Sequence, residues 1–308
     1  MSETAGRRGA DWRAALRRTP VAVWNDDVSD WAAALTYYTV LALFPALLVA
    51  VSVTGLTYPG GAQEFIYHVT AMAPADSRAV LRSALEDMAS RPAAAWLLIV
   101  LGTLGSLVSS VSYLSIFRRV QHAMHGVEDR HSLMRKLPRT ILSALLLLSL
   151  LLSSALVVIL TGDVMRTLGR ALGTDGMAVA LWDAAKWPLL LCLAAVLVLI
   201  LFRTGPAEAR AVRHGLLGGV LAVGLWLVAS AGFAFYATQV GTYNRLYGPL
   251  AGFIVFLVWI WVTNLALLTG AQFNAELTRS AADRQRGEAP EEPEEPEKDR
   301  PAPGPEEV

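Results

Sequence analysis

The sequence predicts an all-α, polytopic membrane protein, and three observations predict it. The chain of 308 residues is 54% hydrophobic and only 17% charged, against about 25% charged in an ordinary soluble domain, and its mean hydropathy is +0.44. Long apolar runs recur along the chain, separated by polar stretches. One of them, between Arg245 and Glu276, carries no formal charge at all, where about 20 apolar residues suffice for a helix to cross about 30 Å of hydrocarbon. The zero net charge conceals an asymmetry, with arginine crowding the first 30 residues and a central loop while the C-terminal tail is acidic and Pro-rich. The single cysteine, Cys192, lies within an apolar run, which excludes an intrachain disulfide and a cysteine zinc site.

Residues 1–30 form a basic arm in which Arg7, Arg8, Arg13, Arg17 and Arg18 alternate with Trp12, Leu16 and Trp24. The spacing predicts a short helix ending near Pro20, suited either to an anionic membrane surface or to the ordinary basic flank of a span. The first apolar run starts late and is long enough to cross, so a cleavable signal is not expected. Residues 31–56 form the first span, and Pro45 within it removes a helix hydrogen bond, which kinks or interrupts the helix. Between residues 57 and 93, apolar positions recur every three or four residues among charges, predicting two amphipathic helices separated near Pro74 in the first external loop. The second span, 93–117, carries the small-residue stripe Gly102, Gly105, Ser106, Ser109 and Ser110, which suits close helix packing.

The loop from Arg118 to Arg139 is basic and contains His122, His125 and His131, whose spacing does not match a zinc-binding helix pair. The third span occupies 141–160. The fourth, 181–202, opens with Asp183 and Lys186, three residues apart on one helix face, where an interfacial ion pair and a polar pathway are alternatives. The Gly-rich fifth span covers 214–236, and the sixth, 249–273, follows Tyr247, Gly248 and Pro249. These spans make a membrane domain over 31–277, followed by an acidic tail at 278–308 with the composition of a disordered segment. Six spans put both termini on one side, and most of the 26 Lys and Arg residues then fall on that side, which makes it cytoplasmic by the positive-inside rule.

Three blocks carry a family resemblance: AALTYYTVLALFPALL from Ala33 to Leu48, the loop ending MHGVEDRHS, and YNRLYGPLAGFIVFLVWIWVTNLALLTGAQFNAEL from Tyr243 to Leu277. Over roughly Trp24 to Leu277 the chain resembles the YihY, or virulence factor BrkB, family of bacterial inner-membrane proteins, historically mislabelled ribonuclease BN. It departs from that family in the segment VLALFPAL, where relatives commonly have serine shortly before Phe-Pro and this chain has Leu43. The resemblance implies a multi-pass plasma (inner) membrane protein, with suggested roles in envelope integrity, serum resistance or export of lipids or solutes. It supplies no catalytic residues.

The residues themselves leave several functions open. A lipid or small-solute transporter or flippase is the leading reading, with Tyr37, Tyr38, Pro45, Asp183, Lys186, Tyr247, Gly248, Pro249, Asn264, Asn274 and Glu276 as the candidate polar path or helix break. The absence of a visible inverted repeat counts against an ordinary secondary transporter. The alternative is a non-catalytic scaffold or regulator of envelope proteins, reached through the first loop or the tail. An enzyme is not expected, because the five histidines are spread over separate segments and no nucleophile–base arrangement is visible. No cofactor, metal site or nucleic-acid partner is expected; membrane lipids are, and the glycine stripes suit either self-association or packing within one chain.

Overall fold

The computed structural model describes residues 2–57, 61–72, 75–89, 95–127, 133–159, 177–206, 212–239 and 249–287. Among the described residues all regular secondary structure is helical: α1 Ser2–Asn25, α2 Val28–Thr57, α3 Gly61–Met72, α4 Ala75–Ala89, α5 Ala95–Met124, α6 Leu133–Ile159, α7 Met177–Arg203, α8 Val212–Gln239 and α9 Pro249–Gly287. Four stretches are long and apolar enough to cross a membrane: Ile99–Met124, Ala180–Arg203, Leu216–Tyr236 and Gly252–Ala282. A shorter apolar stretch runs from Pro138 to Ser154 in α6. The remaining sequence-predicted span falls in α2, whose 30 residues reach about 45 Å at about 1.5 Å per residue.

Four prolines fall within helices and do not end them. Pro20, Pro45, Pro138 and Pro188 all lie inside them, so the helix end expected near Pro20 and the interruption considered at Pro45 do not occur. Each proline removes one backbone donor, and packing by neighbouring helices is what allows a helix to continue through the defect. At Pro45 that packing is visible. A Cβ added to Gly102 on α5 would come within 2.9 Å of the Pro45 carbonyl oxygen, and one on Gly105 within 3.5 Å of its ring. The small-residue stripe of α5 is therefore the groove that receives the Pro45 turn of α2.

Helices α2, α5, α6, α7, α8 and α9 each pack on the next in that order, and α9 packs back on α2, so the six close into a ring. Their main core gathers at one end. It joins Val28, Ala32 and Leu35 of α2, Phe117, Val120 and Met124 of α5, Val198, Leu201 and Phe202 of α7, Ala222 of α8, and Leu267, Leu268, Ala271 and Ala275 of α9. Phe117 bridges the ring, stacked on Tyr113 at 6.3 Å and on Phe202 at 6.2 Å between centroids. Arg118, Arg119, Arg203 and Arg279 occupy the same helix ends, and we call this the basic end.

Helix α5 continues to Met124 through residues that read as loop in the sequence. Arg118, Arg119 and His122 suggested a polar segment, but Phe117, Val120 and Met124 recur at helical spacing and are buried in the core. At the other termini, α6 begins at Leu133 and α9 runs on to Gly287; residues 288–308 of the expected tail lie outside the described residues. Helices α3 and α4 pair through Ile66 and Leu85. They pack on α2, and α4 also touches α9. The arm is not free: α1 lies along α9, with Ala15 buried among Phe273 and Leu277.

Candidate functional site

Helix α9 lines the ring with polar side chains at four-residue spacing. Asn264, Gln272 and Glu276 share one stripe with Leu268, because residues four apart stack along one face of a helix, and all four are buried. Asn264 donates from Nδ2 to Thr36 Oγ1 at 3.1 Å and accepts from Tyr113 Oη at 2.9 Å. Thr36 Oγ1 in turn donates to the Ala32 carbonyl at 2.7 Å. One amide thus ties α9 to both α2 and α5.

Two turns toward the basic end, Gln272 Nε2 donates to Asp26 Oδ2 at 2.8 Å. The carboxylate fixes which way that amide points, since only the NH2 group can donate to it. Gln272 Oε1 is then left buried with no hydrogen-bond partner. On α5, Gln121 is buried with neither its Oε1 nor its Nε2 bonded. Unmet amide groups away from water cost about 1–3 kcal/mol each, so these positions are suited to a water or a polar guest. Beside them lies a cavity of about 180 Å³ lined by Asn25, Asp26, Asp27, Trp31, Val120, Ala123 and Met124.

The stripe closes at the helix ends. Arg279 donates from Nη1 to Glu276 Oε1 at 2.8 Å and from Nη2 to the Met124 carbonyl at 2.5 Å. Asn274, on another face of α9, accepts from the Gly218 backbone N–H at 2.9 Å. That contact requires two bare backbones. A Cβ on Gly270 would stand 2.5 Å from the Gly218 carbonyl oxygen and 2.6 Å from Ala222 Cβ, so α8 and α9 touch where both residues are glycine.

The sequence-named residues do not all meet. Asn264, Asn274 and Glu276 are buried on α9, each in a different contact. Tyr37 is 61% exposed and packs edge-to-face on half-buried Tyr38 at 5.1 Å, on a different side of α2 from Thr36. Lys186 lies over the Trp187 ring at 5.9 Å, while the Asp183 side chain, Tyr247 and Gly248 lie outside the described residues, and Pro249 opens α9. His122 and His125 each bond through Nδ1 to a carbonyl one turn back, Arg118 and Gln121, at 2.8 Å. Among the described residues no three His, Cys, Asp or Glu side chains are grouped to hold a metal ion. Thr36, Tyr113, Gln121, Gln272 and Asp26 were absent from the candidate path; the four-residue repeat in α9 was the signal for Gln272, and nothing local marks the others.

A ring of long apolar helices with a few polar side chains buried among them defines a multi-pass helical membrane protein. The chain belongs to the family described as Virulence factor BrkB, which it matches over residues 20–295. Among its relatives is a UPF0761 membrane protein of Alkalilimnicola ehrlichii, 27% identical over 91% of this chain and 62% of that protein. Another, from Rhodospirillum centenum, is 29% identical over 82% of this chain and 55% of its own length. The chain therefore spans less than two thirds of these relatives. A putative ribonuclease-like protein, YfkH of Bacillus subtilis, is 22% identical over 80% of this chain and 88% of its own. No solved structure matches the chain.

Proposed function

We propose that this BrkB-family protein crosses the bacterial plasma membrane six times, with both termini cytoplasmic, and moves a lipid or small polar solute through its helix ring. The observation that carries the reading is the pair of unmet amides inside the ring, Gln121 and Gln272 Oε1. Uncompensated polar groups within membrane helices are costly and are retained at sites that handle polar cargo or ions. The Tyr113–Asn264–Thr36 bonds and the Asp26–Gln272 bond continue that polar surface along α9 and α2. The route thus differs from one along Tyr37 and Tyr38, which supports moving the functional emphasis from the first span to α9.

Transbilayer movement of labelled phospholipid in proteoliposomes tests this, beside empty liposomes and a Gln121→Leu variant. The expected result is movement above the empty control that falls at least tenfold in Gln121→Leu. Equal movement in variant and wild type would remove the amides from the path. No movement by folded, inserted protein, with a panel of small solutes also immobile, would leave the scaffold reading, for which exposed Tyr67 on α3 and Val80 on α4 offer contact surface. The ribonuclease-like name of the Bacillus subtilis relative supplies an enzyme reading, which metal-dependent RNA cleavage by the purified protein would establish.

A further inference from the structure

We infer that α1 is an interfacial helix whose outward face binds anionic phospholipid headgroups. The inference needs only that the chain is a membrane protein and does not rest on transport. Its inner face is already occupied: Ala15 and Thr19 are buried, with Ala15 packed among Phe273 and Leu277 of α9. Those two residues belong to the last turns of the apolar Gly252–Ala282 stretch, so the contact holds α1 at the level where a spanning helix leaves hydrocarbon.

The outer face is mixed, apolar and basic. At about 100° per residue, Trp12, Leu16, Arg13, Trp24, Arg17 and Val21 follow one another around about half of the helix, from Trp12 beside the buried edge to Arg13, Trp24 and Arg17 opposite the buried residues. All six are exposed, Trp24 at 84% and Val21 at 61%. The Arg13 guanidinium lies 5.5 Å from the Trp12 ring centroid, an arrangement that keeps the charge at the surface while the ring covers its stem. Arg13 and Arg17 are one turn apart, and both project from the face that carries Trp24. Tryptophan prefers the headgroup level, and paired guanidinium groups suit phosphate oxygens through charge-assisted hydrogen bonds. Charge complementarity selects an anionic lipid over a zwitterionic one.

The sequence alone left both a basic flank and a surface helix open for the arm and favoured the flank. The structure supplies the docked inner face, and with it the direction in which the tryptophans and Arg13 and Arg17 point. A solvated flank has no reason to hold Trp24 outward on a helix fixed beside a span.

The test uses the full chain in nanodiscs of phosphatidylcholine, with or without phosphatidylglycerol. In a Cys192→Ser background, a spin label at Trp24→Cys reports depth by its relative accessibility to oxygen and to a polar nickel chelate. The expected label is shielded from the chelate and favoured by oxygen, at headgroup depth. Each basic residue near an anionic surface strengthens binding about fivefold, so Arg13→Gln/Arg17→Gln lowers phosphatidylglycerol binding by about 25-fold, read as retained lipid in native mass spectrometry and as loss of its thermal-shift effect. Arg82→Gln on α4, whose partner is Glu86 at 2.7 Å, leaves both unchanged. A label freely reached by the chelate in both lipids, or a double variant that retains phosphatidylglycerol like wild type, overturns the proposal. Shielding of Trp24 that appears only with a stoichiometric copurifying protein also overturns it, in favour of a protein partner.

Discussion

Asn264 shows what a single amide does between three helices. It satisfies Tyr113 of α5 and Thr36 of α2 at once, and such interhelical bonds contribute about 0.6 kcal/mol each in a membrane, rarely above about 2. Tyr113→Phe leaves Asn264 Oδ1 without its donor and is expected to lower stability by about 1 kcal/mol, measured by thermal unfolding in detergent. Gln121 behaves in the opposite sense. Its amide makes no bond, so Gln121→Leu, similar in size and free of the desolvation penalty, is expected to keep or raise the melting temperature while impairing transport. A fall in stability of more than about 1 kcal/mol would show that the glutamine has structural partners. Asn264, Asn274 and Glu276 could be named from the sequence because polar side chains in an uncharged run stand out. Thr36 and Tyr113 could not, since their importance comes from their bonds to Asn264 of α9, and neither could Gln121, whose burial is a matter of tertiary packing.

Helix contacts depend on a few positions within long, interchangeable stripes. Five glycines mark α8 in the sequence, yet of Gly218, Gly219, Gly224 and Gly232 only Gly218 meets backbone from another helix; Gly224 and Gly232 have nothing within 4 Å of an added Cβ. Its counterpart, Gly270, sits in the sixth span among larger residues. Overpacking a tight contact costs about 1–3 kcal/mol, so Gly270→Val is expected to lower the melting temperature and to separate α8 from α9, read as a smaller α8–α9 crosslinking yield between engineered cysteines. Gly224→Ala and Gly232→Ala are expected to leave both measurements unchanged. Helix ends follow the same logic. Periodicity marked α3 and α4, whereas the extension of α5 to Met124 and of α9 to Gly287 was masked by charged residues. The buried face of the α5 extension carries Val120 and Met124 while Arg119 is exposed on another side of the cylinder.

For the whole molecule, the ring closes because α9 packs on both α8 and α2, and its core is concentrated at the basic end. The proposed six crossings with cytoplasmic termini make a clear expectation: a fluorescent protein fused to the C-terminus of the full chain fluoresces in a bacterial host, and alkaline phosphatase fused there is inactive. Active phosphatase would exclude that topology. Under that proposed topology α1 and the Asp26 cavity face the cytoplasm, so a polar chelate added only outside sealed, right-side-out vesicles is expected not to reach a label at Trp24→Cys.

Composition and uncharged run length determined that the chain is a helical membrane protein and roughly where its helices lie, because a bilayer demands about 20 apolar residues and internally satisfied backbone, and both demands are local. The three motif blocks pointed to the family. Which proline is packed in a groove, which glycine lets backbones touch, and which amides are left without partners were decided only by tertiary structure. Those properties belong to pairs of residues such as Tyr113 and Asn264, 151 positions apart, and no periodicity along one helix records what stands across from it.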